Sequence, residues 1–362
     1  MAMLRLVLVA VLLVACGDAD TGTSGNVVEA HVVRVLANGE RTVPGVAGSQ
    51  VFQRVEVQLD SSLFRGEHET IEWSGHPALD ASGLLRPGDH VLLSVLREGA
   101  TRTYQIQEVV RLPQLAPLAV LLVVALLLVA RLAGLAAVAG VAASVAVFLL
   151  ALVPAVQRGA DPLTAAVVGA CAAAAVAVFA AVGLSRIGVA AFVGALGGLV
   201  AVAGLGAAAL AAARMTGYTT EDAATLVTAT SGTIDVAHVA LAGVIAASIG
   251  ALVDVAVAQS RSAFRLAAGD PDLRGRALYL SAMRDARAHL GPLVGTLTFA
   301  YLGAALPLVL LVFLDLQPRN LTLNSDGMAA ALVTVLAAGL GLAVAVPIAT
   351  ATATALARGG AP

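Results

Sequence analysis

Asp254 is the residue of this chain whose type and place most call for chemistry. It ends the run Gly250-Ala-Leu-Val-Asp254 inside a long apolar segment. An arginine-studded stretch follows, with Arg261, Arg265, Arg274, Arg276, Arg284 and Arg287. A carboxylate against the end of a membrane helix is costly unless hydrated or paired, so it either locks structure or builds a site. Near a helix C-terminus it also opposes the dipole and favours a cationic partner. Arg261, Arg284 and Arg287 are the nearest cations in sequence, and Asp285 and His289 share the stretch. One reading makes Asp254, Arg284, Asp285 and Arg287 interfacial ion pairs. The other makes Asp254 part of an ion or solute site with Thr296, Thr298 and Tyr301 of the next apolar segment. There, Thr296, Ala300, Gly303 and Pro307 recur at i, i+4, i+7 and i+11, which lines one helix face. Pro307 removes a backbone hydrogen bond, so that face can admit a kink, a solute or a closely packed neighbour.

Catalytic signatures are missing from the sequence. It has no G-x-S-x-G, no H-E-x-x-H, no phosphate loop and no C-x-x-C. No helix clearly offers a second buried aspartate to face Asp254. The expectation is a protein that is not an enzyme, with no catalytic residues, no cofactor and no metal site. His68 and His76, eight residues apart beside Glu67 and Glu69, are a weak loop-spaced metal pair. Asp235 and His238 read as interfacial. Asn324-Ser325-Asp326 reads as a helix cap.

The elements that hold these residues follow from composition. Hydrophobic residues make up 59% of the chain and charged residues 12%, and the net charge is -2. Charged residues are about 25% of an ordinary soluble domain, so this chain has half the usual share. The absence of a basic face excludes nucleic acid as a partner. All 21 basic residues are arginine, which reads as genomic composition bias.

Residues 1–16 read as a signal sequence: Arg5 opens it, Leu6 to Val14 is its apolar core, and Leu13-Val14-Ala15-Cys16 follows. The core falls short of the roughly 20 apolar residues a membrane crossing needs. Small residues before a cysteine resemble a lipoprotein cleavage site, making Cys16 a candidate for lipidation; the alternative is an ordinary signal peptide or short anchor. The other cysteine, Cys171, lies in an alanine-rich apolar segment, so no structural disulfide is expected.

Residues 17–111 read as a small extracytoplasmic β-barrel or OB-like domain. Val51 to Leu59 alternates as a half-buried strand does. Further strands are expected at 28–36, 69–73, 90–96 and 103–110. Turns are expected at Asn38-Gly39, Pro44-Gly45 and Pro87-Gly88-Asp89. Residues 112–362 read as a helical transmembrane domain with seven spans, near 113–130, 134–156, 163–183, 187–213, 234–257, 291–314 and 327–356. Asp161-Pro162 and Thr219-Thr220-Glu221-Asp222 are helix starts, and Gly194-Ala-Leu-Gly-Gly198 is a close-approach motif. The fold class expected is therefore mainly α, a polytopic bundle preceded by a β domain.

A signal sequence puts the β domain outside, and seven spans leave the C-terminus in the cytoplasm. Nine arginines then lie inside, namely Arg131, Arg186, the six of residues 258–289, and Arg358; Arg111, Arg158, Arg214 and Arg319 lie outside. That distribution obeys the positive-inside rule.

Three stretches resemble the YibE/F family of bacterial membrane proteins: Gly250-Ala-Leu-Val-Asp254-Val-Ala-Val-Ala-Gln-Ser260, Met283-Arg-Asp285, and Gly295-Thr-Leu-Thr-Phe-Ala-Tyr301-Leu-Gly-Ala-Ala-Leu-Pro307. Phe64-Arg-Gly-Glu-His68, Pro87-Gly-Asp89 and Asn324-Ser-Asp326 support the likeness. Gly295 stands where the family often has Asn, and Asp326 where it often has Glu. The resemblance implies an extracytoplasmic β domain followed by a helical membrane domain, and implies no reaction.

The function expected is permease-like or channel-like handling of a small solute or ion in the bacterial cytoplasmic membrane, with Asp254, Thr296, Thr298 and Tyr301 as its polar elements. The rival is a scaffold or assembly factor whose β domain binds an envelope protein. In both cases the lipid bilayer is the main partner.

Overall fold

The structure is a computed structural model, and it describes residues 27–42, 49–60, 65–73, 83–98, 101–314 and 318–357. Cys16, the proposed signal sequence, Pro44-Gly45, Phe64, His76 and Arg358 lie outside the described residues. Two compact units divide the chain, with the boundary at Ala125–Leu126.

Among the described residues the first unit contains five strands: β1 (Val27–Thr42), β2 (Ser49–Leu59), β3 (His68–Trp73), β4 (His90–Glu98) and β5 (Thr101–Val109). They form one antiparallel sheet in the order β3-β2-β1-β4-β5. Bulges at Val32/Arg34, Val35/Ala37 and Leu92/Leu93 increase its local twist. The sheet curls until its edge strands β3 and β5 come into contact. Alternation decides the inner face: Val55, Val57 and Leu59 are fully buried with Ala30, Val32, Val91 and Leu93.

The five strands fall where the alternation places them, and Pro87-Gly88 forms a turn. Asn38-Gly39 does not. There β1 runs straight on to Thr42, and Gly39 pairs with Phe52 of β2. A Cβ on Gly39 would lie 2.7 Å from the Phe52 ring. The glycine thus admits an aromatic ring across the ladder instead of a chain reversal.

The second unit is helical. Its elements, with the helix that leads into it, are α1 (Leu112–Gln157), α2 (Pro162–Val182), α3 (Arg186–Ala212), α4 (Glu221–Ala229), α5 (Val236–Gly269), α6 (Arg276–Ala304), α7 (Leu306–Phe313), α8 (Arg319–Leu323) and α9 (Asp326–Ala357). Among the described residues, six helical stretches are long and apolar enough to cross a membrane, or seven if α6 and α7 count as one bent span. α1 breaks at Arg131, whose φ of 54° and ψ of -138° are not helical, so it supplies two of them.

Two boundaries differ from the sequence expectation. Residues 258–289 are not a loop: α5 continues through Arg261 and Arg265 to Gly269, and α6 already begins at Arg276. Gly291-Pro292 therefore lies inside α6 and does not open it. The last apolar stretch of that segment is bent by 74° where α6 gives way to α7. Pro307, at the start of the second piece, cannot continue the hydrogen-bond ladder of the first.

The bundle core joins α3, α5 and α9 through small residues. A Cβ on Gly194 would stand 2.5 Å from the Ala349 Cβ, one on Gly198 2.5 Å from Leu252, and one on Gly341 2.4 Å from Val202. The close-approach motif thus seats α3 directly on α9. The starts of α2, α3, α4 and α5 are each set by a cap, a side-chain oxygen that takes up an otherwise unpaired N–H. Asp161 accepts from Thr164 N at 3.0 Å and Ser185 from Gly188 N at 3.1 Å. Thr220 accepts from Ala223 N at 3.3 Å and Asp235 from Ala237 N at 2.9 Å.

Candidate functional site

Two cross-ties fix how α5 meets α6. The Tyr301 hydroxyl donates to the Ala247 carbonyl at 2.8 Å, and the Ser262 hydroxyl donates to Asp285 Oδ2 at 3.0 Å. As one number rises the other falls, so the helices run antiparallel. Asp254 sits between the ties, level with Pro292–Val294. Gly250, Gly291 and Gly295 have nothing within 4 Å of the place a Cβ would take, so this stretch of both helices is open.

Asp254 is exposed, on a face of α5 formed by Gly243, Ala247, Gly250, Asp254, Ala258 and Arg261. It has no hydrogen bond or ion pair among the described residues. The pairs considered with Arg261, Arg284 and Arg287 are not formed. Because α5 stays helical, Arg261 is carried two turns on. There it donates to the Ala181 carbonyl of α2 at 3.0 Å. It thereby satisfies one of the carbonyls left open at a helix C-terminus. Arg284 and Arg287 are exposed on α6, and Asp285 is held by Ser262.

Thr296 and Thr298 do not join Asp254. Their hydroxyls turn back onto their own helix, to Pro292 O at 2.9 Å and Val294 O at 2.8 Å. That is the usual way a threonine hydroxyl is satisfied inside a helix. Thr296, Ala300 and Gly303 share an exposed face of α6 as the spacing predicts, but Pro307, also exposed, lies beyond the 74° bend on α7 and does not continue it. Of the four polar residues proposed for a site, only Tyr301 reaches across to α5.

At the other end of α5 the structure assembles a cluster whose members are far apart in sequence. His238 Nδ1 meets Asp161 Oδ1, 77 residues away, and stands 3.6 Å from Asp235 Oδ2. The two carboxylates are the N-caps of α2 and α5, so the imidazole ties those helix starts together. Partial burial works to raise the Asp161 pKa. The Thr164 N–H and the hydrogen bond and charge of His238 outweigh it and hold the carboxyl below its usual value.

Asp326 of α9 performs a related task. Its carboxylate accepts from Thr216 N at 2.8 Å, from the Thr216 hydroxyl and from Gly217 N at 3.1 Å. Gly217 has a φ of +85°, and a Cβ there would stand 2.4 Å from Ala237 N. Only glycine therefore lets this turn rest on the start of α5. Ser325 is the residue that accepts from Met328 N, at 3.3 Å. The cap expected from Asn324-Ser325-Asp326 is thus divided: Ser325 caps and Asp326 clamps. In the sheet unit, His68 is engaged by Glu56 at 2.9 Å.

A protein-family model described as YibE/F-like protein matches residues 118–359. No curated protein and no solved structure matches the chain.

Proposed function

The chain belongs to the YibE/F-like family, and from that premise we propose that it is a multi-pass protein of the bacterial cytoplasmic membrane, permease-like or channel-like toward a small solute or ion. The six or seven apolar helices support the membrane reading. At 34 residues α5 is about 51 Å long, well beyond a hydrocarbon core of roughly 30 Å. Its surplus carries Arg261 and Arg265, and with the start of α6 it forms an arginine-bearing end suited to the cytoplasmic face. The ends of α2, α5 and α9 that bear Asp161, Asp235 and Asp326 then face outward, as does the β unit, where it senses, gates or meets an envelope partner.

The observation that carries the reading is Asp254. It is a carboxylate without a partner among the described residues, on an exposed face whose other members are glycine and alanine as far as Arg261. Beside it lie an open stretch of α6 and a helix interrupted at Ala305. A bare carboxylate facing hydrocarbon is costly, so water or a mobile cation must reach it. Interrupted helices are also where solute sites of transporters form.

The test is reconstitution of the full chain in liposomes with Asp254→Asn. Flux of a small ion or solute through the wild type, abolished in the variant at unchanged protein abundance, supports the reading. Lowered abundance with flux untouched rejects it in favour of a scaffold in which Asp254 is structural.

A further inference from the structure

On the outer face of the curled sheet, three histidines fall into one row. The register sets His31 of β1 opposite Gln58 of β2 on one side and opposite His90 of β4 on the other, and Gln58 opposite His68 of β3. Residues directly opposite one another in neighbouring antiparallel strands share a face. The residues flanking the row, among them Ala30, Val32, Val57, Leu59 and Val91, fill the core, so the row stands on the side away from it.

Two of these imidazoles are adjacent. The rings of His31 and His90 have their centres 6.1 Å apart and their planes tilted by 48°. His31 is also anchored: the two carboxylate oxygens of Asp60, the residue after β2, lie 3.0 and 2.9 Å from its Nδ1. An ionised carboxylate only accepts, so Nδ1 carries the proton and Nε2 keeps its lone pair. A carboxylate on one ring nitrogen and a free lone pair on the other is the arrangement that prepares an imidazole to bind a metal ion. His90 is exposed, and its ring makes no hydrogen bond among the described residues. His68 differs: Glu56 holds its Nδ1 at 2.9 Å, and Gln58 stands between it and His31.

Two imidazole nitrogens bound to one tetrahedral ion at about 2.0–2.1 Å place their ring centres roughly 5 Å apart. His90 can close the remaining gap by turning about its side-chain bonds, since its exposed ring has no hydrogen bond to break. Glu29, two residues before His31 and beside Asp60, adds negative charge to the same face and favours a cation there. Among the described residues no three His, Cys, Asp or Glu side chains group to hold a metal. The protein therefore supplies two ligands and water the rest, which makes the site exchangeable and not a closed structural one. Imidazole suits Zn²⁺ and Cu²⁺, whereas Ca²⁺ and Mg²⁺ take oxygen.

We propose that His31 and His90 bind one exchangeable divalent transition-metal ion, Zn²⁺ or Cu²⁺, with Asp60 positioning the His31 ring. The site lies within the sheet unit and does not depend on the permease-like reading. His31 and His90 meet only through the β1–β4 ladder, which is why local spacing singles out His68 and His76 instead.

The test uses the full chain in detergent, purified without a histidine tag. Zn²⁺ affinity is read by competition with a chromophoric chelator, and stability by Trp73 fluorescence in a urea titration. The wild type binds one Zn²⁺, which moves the Trp73 midpoint to higher urea because the ion binds the folded sheet. Asp60→Asn lowers the affinity about 10–100-fold, and His31→Ala and His90→Ala lower it at least as much. His68→Ala leaves it unchanged. Wild-type affinity in His90→Ala overturns the site, and that variant decides alone if His31→Ala does not fold. Displacement of Zn²⁺ by equimolar Ca²⁺ or Mg²⁺ also overturns it, since that marks a purely acidic patch at Glu29 and Asp60. With Cu²⁺, electron paramagnetic resonance shows coupling to two imidazole nitrogens in the wild type and in Asp60→Asn, and to one in His90→Ala. Loss of a nitrogen in Asp60→Asn, or wild-type affinity there, removes Asp60 from its positioning role.

Discussion

The two units of this chain build their cores from opposite materials. The sheet unit fills its interior with Val55, Val57, Leu59, Ile71, Leu93 and Tyr104, bulky side chains that close the space inside a curled sheet. The helical unit is held at its centre by Gly194, Gly198, Gly341, Ala345 and Ala349, where backbones come so near that even one added carbon collides. Inward faces of a sheet are kept apart by their side chains and need volume between them. Helices without a strong hydrophobic drive between them gain by approaching closely, which needs small residues. One unit is thus vulnerable to losing volume and the other to gaining it.

The sharpest trial of that contrast is a pair of opposite substitutions. Leu93→Ala, at a site with no exposure, opens a cavity and costs the sheet unit about 2–5 kcal/mol. The single tryptophan, Trp73, lies in β3, so its fluorescence in a urea titration of the full chain reports this unit. Gly194→Ala, an ordinarily mild change, overpacks α3 against α9 and costs the helical unit about 1–3 kcal/mol, read by circular dichroism as detergent unfolds it. A neutral Gly194→Ala would break the contrast.

The buried amides make a finer version of it. Gln53, 2% exposed, accepts from Leu85 N at 2.8 Å and donates to Leu85 O at 2.9 Å. Gln53→Leu leaves both backbone groups unsatisfied, at about 1–3 kcal/mol for each orphaned group. Gln259 donates only to acceptors: a helix carbonyl and a hydroxyl already bonded to Val346 O. Gln259→Leu should therefore cost only about 0.5–1.5 kcal/mol, the ordinary net worth of a hydrogen bond. Equal losses in the two units would show that the helical unit depends on Gln259 for more than its two bonds.

Much of this division was legible in the sequence, because each unit announces its own period. Alternation at Val55, Val57 and Leu59 marks β2, and Asp161-Pro162 marks the start of α2. What failed was local punctuation overruled by distant packing. Asn38-Gly39 is a turn signal that yields to pairing with Phe52. Gly291-Pro292 is a break signal that yields to a helix already running from Arg276. The arginine stretch looked like a loop because it is polar, yet α5 and α6 extend through it with their charges turned to solvent. The candidate site was less legible. The motif around Asp254 stood out, but whether it is paired depends on where α5 carries Arg261. The Asp161–His238, Thr216–Asp326 and Gln259–Thr350 contacts span 77, 110 and 91 residues, and no local pattern joins such partners.

Acid provides the smallest and most selective comparison, since among the described residues each unit holds one carboxylate with a lowered pKa. In the sheet unit, hydrogen bonds first from Arg34 and then from His68 hold Glu56 below its usual 4.5. In the helical unit, Asp161 stays below its usual 3.8 because Thr164 and His238 outweigh partial burial. A carboxyl with a lowered folded-state pKa adds stability at pH values above its unfolded pKa. That contribution is lost as pH falls through the lower, folded value. Both contributions should thus be intact at neutral pH and fade only in acid. Asp161→Asn retains a side-chain oxygen for the cap but loses the charge facing His238. About a third exposed, it should cost below roughly 1 kcal/mol at neutral pH and remove the corresponding acid sensitivity of the dichroism signal. Glu56→Gln should flatten the acid limb of the Trp73 signal and leave the dichroism limb unchanged. If either substitution flattens both limbs, the two units do not respond to acid independently, and the contrast between their cores does not extend to their electrostatics.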